Sequence, residues 1–424
     1  MKHLTVSIER NGILVPVGSI TGSSSADAAF GYAENYLQDP SSVPISLSLP
    51  LQKERFSPTQ TAVFFEGLLP EGFTRRSVSR WMHASENDYL SILHGLGREC
   101  LGALCITEEG EKTEASYERI PAEQIRELAA EGALKSAELI TRSRLSLTGA
   151  SGKVGLYYDA GEKAWYLPCG TAPSTHIVKQ SHIRLDSIVA NEQLSLMTAG
   201  RCGIPVPRSF IINTGSSEDR AVLFATERFD RLPQEERRIS GLPCPFRLHQ
   251  EDFAQALGIP SPAKYEDPSG AYLEKMAGLL RKHSADPIAD LLQLWHTLVF
   301  NWLIGNTDAH IKNYSLLYSP DLKTIRLSPA YDLVSTAVYT QSTREMAFRI
   351  GGASSIDEIT PESFRQAAGE IGLGERIAMK HFDRICSLFQ KALHDTAEEL
   401  SHAGYPKALD LEARILRTGG IRHL

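Results

Sequence analysis

No C-x-x-C pair occurs among the six cysteines, Cys100, Cys105, Cys169, Cys202, Cys244 and Cys386. Their scattered spacing fits neither a zinc site nor a disulfide framework, so reduced thiols in a cytoplasmic protein are expected. Long apolar runs are also missing. The most apolar stretch, Leu291 to Ile304, is interrupted by Gln293, His296 and Asn301, and it falls short of the ~20 residues of a membrane span. Met1-Lys2-His3-Leu4-Thr5-Val6 lacks the apolar core of a signal peptide, and no membrane association is expected. Positive charge is not in excess, with 44 Lys and Arg against 51 Asp and Glu and a formal charge of −7. Contact with DNA or RNA would therefore need a local patch or a partner protein. There is no repeat at solenoid periods and no low-complexity tract.

What remains is a globular composition, 42% hydrophobic and 22% charged, spread over 424 residues. That length asks for two or three packed subdomains. Leu4 to Ile8 alternates with period two, and Asn11-Gly12 is a hairpin signal before Ile13-Leu14-Val15. Ile45 to Leu49 alternates again and reads as a strand. Helical patterns follow over Thr59–Leu69, over Glu86–His94 with Ser85 as N-cap, and over Pro121–Glu138. Leu101 to Ile106 returns to strand character, and Thr107 to Glu114 is a surface connection. Between Leu145 and Asp230 the chain favours strands, with a helix over Asn191–Gly200. Beyond Gln250 it is mostly helical, broken near Tyr314 to Pro329. Strands followed by helices give an α+β class with an α/β N-terminal lobe and a mostly α-helical C-terminal lobe.

Three groups of residues carry chemistry, in a fixed order. The first is the loop Leu145 to Gly155, where Gly149, Gly152 and Gly155 allow close backbone approach to a phosphate. As a nucleotide loop it would present Ser151, Gly152 and Lys153. It is not a Walker A loop, because Leu147 stands where the first glycine is needed and Val154 replaces Ser/Thr. Taken alone it reads first as a hairpin turn. The second is Lys179, closing the apolar run His176-Ile177-Val178. By itself it is an edge or snorkelling lysine; in a phosphotransferase it would hold phosphate oxygens, with Glu192 as an orienting partner.

The third is Gly305-Asn306-Thr307-Asp308-Ala309-His310-Ile311-Lys312-Asn313. Asp308 and Asn313 have the D-x-x-x-x-N spacing of a kinase catalytic loop, and Tyr331-Asp332 follows a short turn. Such chemistry needs a carboxylate to accept a hydroxyl proton and oxygen ligands for Mg²⁺ close by. His310 and Lys312 either pack this loop or serve catalysis. Between the lysine and the loop, the strand end Glu227 to Arg231 offers backbone groups and Phe229 for an adenine ring, with Asp230 beside them.

These motifs resemble the HipA family, serine/threonine-kinase toxins of bacterial toxin–antitoxin systems. The likeness includes Ser46-Leu47-Ser48-Leu49-Pro50-Leu51, Leu68-Leu69-Pro70, Gly97-Arg98, Asn191-Glu192, Gln250-Glu251-Asp252 and Lys264-Tyr265-Glu266. It is most specific from Asn301-Trp302-Leu303-Ile304-Gly305 through Thr307-Asp308 to Lys312-Asn313. The resemblance implies a two-lobed, kinase-like fold with an extra N-terminal subdomain, divided as 1–110, 111–245 and 246–424. It implies ATP and Mg²⁺ as cofactors, Asp308 as base, Asn313 and Asp332 as metal ligands, and Lys179 as the phosphate lysine. Backbone near Glu227 and Phe229 would hold adenine, and Ser146 would be an inhibitory autophosphorylation site. A HipB-like DNA-binding antitoxin is the implied partner, reaching operator DNA on the toxin's behalf. An aminoacyl-tRNA synthetase, such as glutamyl-tRNA synthetase, is the implied substrate. A small-molecule or lipid-type kinase and a corepressor with little kinase activity remain as alternatives. Two positions depart from the family: the loop reads Gly149-Ala150-Ser151-Gly152-Lys153 rather than G-A-Q-E-K, and Ala309 replaces a common glycine.

Overall fold

A computed structural model describes residues 2–111, 114–147, 152–182 and 184–424. The chain divides into two compact units. The first comprises Met1–Gln180, Ala225–Ser261 and Leu317–Thr324; the second comprises Ser181–Phe224, Pro262–Leu316 and Ile325–Leu424. The boundaries expected near 110 and 245 both fall inside the first unit. Among the described residues no helix is long and apolar enough to cross a membrane.

The first unit opens on β1 (Lys2–Arg10) and β2 (Ile13–Gly22), joined by Asn11-Gly12 with both residues at positive φ, 50° and 78°. That is the turn a two-residue hairpin needs. With β3 (Ala29–Tyr32) and β4 (Leu104–Glu108) they form a sheet in the order β3-β2-β1-β4. The helices α1 (Glu34–Gln38), α2 (Pro58–Glu66), α3 (Gly72–Trp81) and α4 (Tyr89–Leu96) follow. Ser57 caps α2 in a capping box. Helix α4 starts later than the sequence suggests because Asp88, not Ser85, supplies the cap, accepting from the Ser91 N–H.

The expected strand Ile45–Leu49 is not one. Its backbone is held by side chains: the Tyr32 hydroxyl accepts from Ile45 N–H at 2.9 Å and donates to Leu49 O at 2.6 Å. Glu251 meanwhile accepts from Leu47 N–H at 3.1 Å and from the Ser46 hydroxyl. The Tyr318 hydroxyl also donates to Glu251, whose carboxyl is pushed up to about 7 by burial.

A second sheet contains β5 (Ser116–Ile120), β6 (Lys153–Asp159), β7 (Ala164–Cys169) and β8 (His176–Gln180), in the order β5-β7-β6-β8. It continues into β10 (Val222–Glu227), of which Ala225 onward belongs to this unit. The single helix expected over Pro121–Glu138 is two, α5 (Ala122–Glu131) and α6 (Ala133–Ser143), parted at Gly132 with φ 62°. A short α8 (Phe253–Leu257), capped by Asp252, completes the unit's helices.

Charge holds the interior of this unit. Glu99, 1% exposed, receives the Arg231 and Arg228 guanidinium groups at 2.8 and 3.3 Å and the Ser174 N–H at 2.7 Å. Glu9 accepts from Arg247 at 2.9 Å and Arg237 at 2.7 Å. Burial alone would raise the Glu99 carboxyl, but Arg228, Arg231 and Arg247 outweigh it and hold it below the usual range. Losing one partner from such a set strands a buried charge, at a cost of about 3–5 kcal/mol.

The second unit is built on α7 (Ile188–Arg201), α9 (Tyr272–His283), α10 (Pro287–Ile304), α11 (Pro361–Glu370), α12 (Glu375–His402) and α13 (Lys407–Thr418), with β9 (Ser209–Asn213). Helix α10 starts on Asp286, which accepts from Ala289 N–H, with Pro287 in its first turn. Trp295 and Trp302 are fully buried, with both indoles edge-on to Phe364. The helical region is also broken by a strand pair that the sequence did not suggest, Glu345–Ile350 with Ala353–Ser355.

Candidate active site

Helix α10 ends where the site begins. Gly305 takes the left-handed conformation at φ 75° and returns its N–H to Asn301 O and Trp302 O. A Cβ there would also come within 2.7 Å of the Ala337 side chain, so glycine is required twice over. Asn306 and Thr307, each 1% exposed, then anchor the loop. The Asn306 amide donates to Asn301 Oδ1 at 3.0 Å, and its own Oδ1 accepts the Asp308 N–H at 3.3 Å. Thr307 N–H donates to Thr336 Oγ1 at 2.7 Å, and its hydroxyl donates to Thr343 O at 3.1 Å. Two buried neighbours thus present Asp308, which is exposed.

The Asp308 carbonyl collects two donors, His310 N–H at 2.8 Å and Asn313 Nδ2 at 3.0 Å. A carbonyl only accepts, so Asn313 must turn its Nδ2 inward and leave Oδ1 available. Asp332, half-buried, sits in the left-handed region at φ 56°, which an aspartate tolerates better than most side chains. Its carbonyl is 3.4 Å from Asn306 Nδ2. Tyr331 fixes the approach by donating to Lys312 O at 2.9 Å while bonding the Ser315 hydroxyl at 2.6 Å. His310 and Lys312 are 8% and 6% exposed. Of the two roles the sequence left open for them, burial favours packing of the loop.

One side chain missed in the sequence reading meets the carboxylate. The Tyr265 hydroxyl donates to Asp308 Oδ1, and its ring lies edge-on to His310 with centroids 5.4 Å apart. Only the Lys264-Tyr265-Glu266 motif marked this position, without a role.

The first unit holds the other candidate groups. Lys153 at the start of β6 lies directly opposite Lys179 on β8. Residues so paired share one face of the sheet with Cβ atoms roughly 5 Å apart. Both lysines are half-buried. Gly152 is sterically confined. A Cβ on it would fall 1.7 Å from Gln180 Nε2, and Gln180 is held by the Ser136 hydroxyl at 2.8 Å. Ser151 and Gly149 lie outside the described residues.

At the strand end, Glu227 is exposed and Phe229 half-buried, while Arg228 N–H donates to Thr175 O at 2.8 Å. Asp230 corrects the expectation of a nucleotide contact. Its carboxylate, 1% exposed, takes Arg228 at 2.9 and 2.7 Å, Gly102 N–H at 2.7 Å and Gln250 at 2.9 Å. Despite burial, the Arg228 and Arg231 guanidinium groups hold it well below the carboxylate range. Asp230 is a structural anchor. Ser146 is fully buried, its hydroxyl donating to Leu68 O at 2.6 Å and its N–H to Glu99 O at 2.8 Å.

Comparison with known proteins covers nearly the whole chain. Residues 145–393 match the family model for the HipA-like C-terminal domain, and residues 13–107 that for the HipA N-terminal domain. Y4mE of Sinorhizobium fredii, provisionally named a kinase, is 33% identical over 91% of this chain and 90% of its own length. The serine/threonine-protein kinase toxin HipA of Shewanella oneidensis is 28% identical over 92% of this chain and 89% of its own. Among solved structures, a chain of the Shewanella oneidensis HipA, HipB and operator DNA complex superposes with a TM-score of 0.77 at 23% identity. That match covers 98% of this chain and 97% of the other, and it establishes an α+β, kinase-like fold.

Proposed function

The chain belongs to the HipA family of serine/threonine kinase toxins, and from that premise we propose that it moves the γ-phosphoryl group of ATP to a protein serine or threonine. The observation that carries this reading is the presentation of Asp308: an exposed carboxylate on a loop whose neighbours are buried and hydrogen-bonded. Asp308 accepts the acceptor's hydroxyl proton as that oxygen bonds to phosphorus and the bond to the ADP oxygen breaks. Lys179, with Lys153 opposite, attracts phosphate oxygens. Exposed Glu227 and half-buried Phe229 offer backbone for the adenine edge.

The donor set suits Mg²⁺. Asn313 Oδ1 is neutral and left available, Asp332 is anionic and half-exposed, and Mg²⁺ commonly takes one or two protein oxygens plus phosphates and waters. When bound, the ion would neutralise charge on the phosphates.

We further propose a HipB-like DNA-binding antitoxin as partner, an aminoacyl-tRNA synthetase such as glutamyl-tRNA synthetase as substrate, and Ser146 as an autophosphorylated off switch. The long match to a HipA toxin supports the first, and the last requires Ser146 to leave its buried seat before it is modified. The test is incubation of the purified protein with labelled ATP, Mg²⁺ and a cell extract, beside Asp308→Ala. Label should enter protein with the wild type and vanish with the variant. No transfer by the wild type to itself or to any protein overturns the reading.

A further inference from the structure

We propose that Arg98 and Arg144 form the binding site for the phosphate of modified Ser146, which the Glu111 carboxylate fills while the serine is unmodified; this rests on the Ser146 switch proposed above. The place is where α6 hands over to the loop that follows it. Arg144 ends the helix in the left-handed conformation at φ 55°, Leu145 pairs in parallel with Glu99, and Ser146 N–H donates to Glu99 O at 2.8 Å. That pairing sets the two preceding residues, Arg98 and Arg144, side by side. Both guanidinium groups reach the same atom: Arg98 donates to Glu111 Oε1, and Arg144 Nη1 lies 3.7 Å from it.

Two cations on one carboxylate leave a net positive charge, and the neighbouring acid does not offset it. The Glu99 carboxylate is directed inward, to Arg228, Arg231 and Ser174. A phosphoserine carries about −1.5 to −2 charges and three acceptor oxygens, enough to neutralise both guanidinium groups and to meet each with a fork. Arg98 is already short of one such oxygen: its Nε–H is buried and has no acceptor among the described residues. A buried donor left unmet is costly, so an anion with more oxygens than a carboxylate is favoured here. Arg144 gives a second sign. Helices that end in the left-handed conformation usually do so on glycine or asparagine, and an arginine there is held against its backbone preference. Reach is not limiting, since Ser146 is two residues from Arg144 and bonds the residue next to Arg98. Once modified, Ser146 gives up its bond to Leu68 O, and its phosphate displaces Glu111, which is half-buried and turns to solvent. The modified serine is then tethered outside the core instead of returning to it.

The test is a phosphorus NMR titration of the full chain phosphorylated at Ser146, with the modified residue established by mass spectrometry. The phosphoserine should lose its second proton at about pH 5 or below, against about 6 for an isolated one. Arg98→Gln and Arg144→Gln should each move the titration part of the way back, and the double variant should return it to about 6, with thermal midpoints checking that the variants fold. Where an arginine variant does not fold, Glu111→Gln carries the test: it removes a competing anion and no cation, and should lower the titration point further. A phosphoserine that titrates at about 6 in the wild type overturns the proposal. So does one that ignores both arginine substitutions, or fails to fall with Glu111→Gln. Phosphate found only on other residues, or on none, overturns the Ser146 switch and this proposal with it, whereas phosphate on Ser146 with an ordinary titration overturns this proposal alone.

Discussion

Asn191 and Ser335 exchange a pair of hydrogen bonds, Asn191 Oδ1 accepting from Ser335 N–H at 3.0 Å and Asn191 Nδ2 donating to Ser335 O at 2.9 Å. A side-chain amide here does what a neighbouring strand would do, and it does so on helix α7 with no exposure at all. The segment it fixes begins three residues after Asp332. Asn191→Ala would leave a buried N–H and a buried C=O without partners, a loss of about 2–4 kcal/mol. A urea midpoint lowered in proportion, together with a raised Mg²⁺ requirement for transfer, is the expected result; an unchanged midpoint contradicts it.

Asp332 combines a charge with a left-handed backbone, and the two can be separated. Asparagine also tolerates φ near 56°, so Asp332→Asn should keep stability within about 0.5 kcal/mol of wild type. Its transfer rate should fall roughly 100-fold or more, because the anionic metal ligand is gone. Asp332→Val should fail differently, losing about 1–3 kcal/mol of stability from the backbone alone. Urea unfolding beside a transfer assay distinguishes the pair.

Ser146 cannot accept a phosphate where it stands. Its hydroxyl is spent on Leu68 O and its N–H on Glu99 O, in a seat closed to solvent. A dianion placed there must leave, taking buried Leu145 and Leu147 with it. Hydrogen exchange at the Ser146 amide should be slow in the unmodified protein and fast once Ser146 is phosphorylated. A phosphorylated form that keeps the amide protected would refute this.

Glu251 makes the first unit sensitive to pH in an unusual direction. Its carboxyl is raised by burial from an ordinary 4.5 to about 7, so the folded state binds the extra proton between those values. Stability is therefore present at low pH and declines as pH rises from about 4.5 to 7, by roughly 3 kcal/mol in all. Glu251→Gln carries no such proton, and its amide can still serve the Ser46 hydroxyl. Relative to wild type, it should gain in urea midpoint between pH 5 and pH 8. Parallel pH curves for the two proteins would rule the effect out.

The readable features of the sequence were those whose partners lie close by in the chain. Asp308 and Asn313 share one loop, so their spacing already encodes the bond from Asn313 to the Asp308 carbonyl. The hairpin at Asn11-Gly12 and the apolar helix ending at Gly305 were legible for the same reason. Features with distant partners were not. Ile45 to Leu49 alternates like a strand, yet Glu251, some two hundred positions on, takes its backbone. Asp230 looked available for a nucleotide because nothing nearby announces that Gly102 and Gln250 bind it. Tyr265 stands 43 positions before its carboxylate, and only the fold brings the two together.

The ion pairs of the first unit also govern when this chain can fold. Glu99 waits for Arg228 and Arg231, which lie 129 and 132 positions further along, and Glu9 waits 238 positions for Arg247. At roughly 5–20 residues per second of synthesis, the interval from Glu99 to Arg231 is about 7–26 s. Until then the nascent chain carries acids meant for a dry interior with no guanidinium to meet them, and burying them early is prohibitive. The interior of this unit is therefore closed late on the ribosome, so a chain cut short before Arg228 leaves its amino-terminal half to chaperones and proteases.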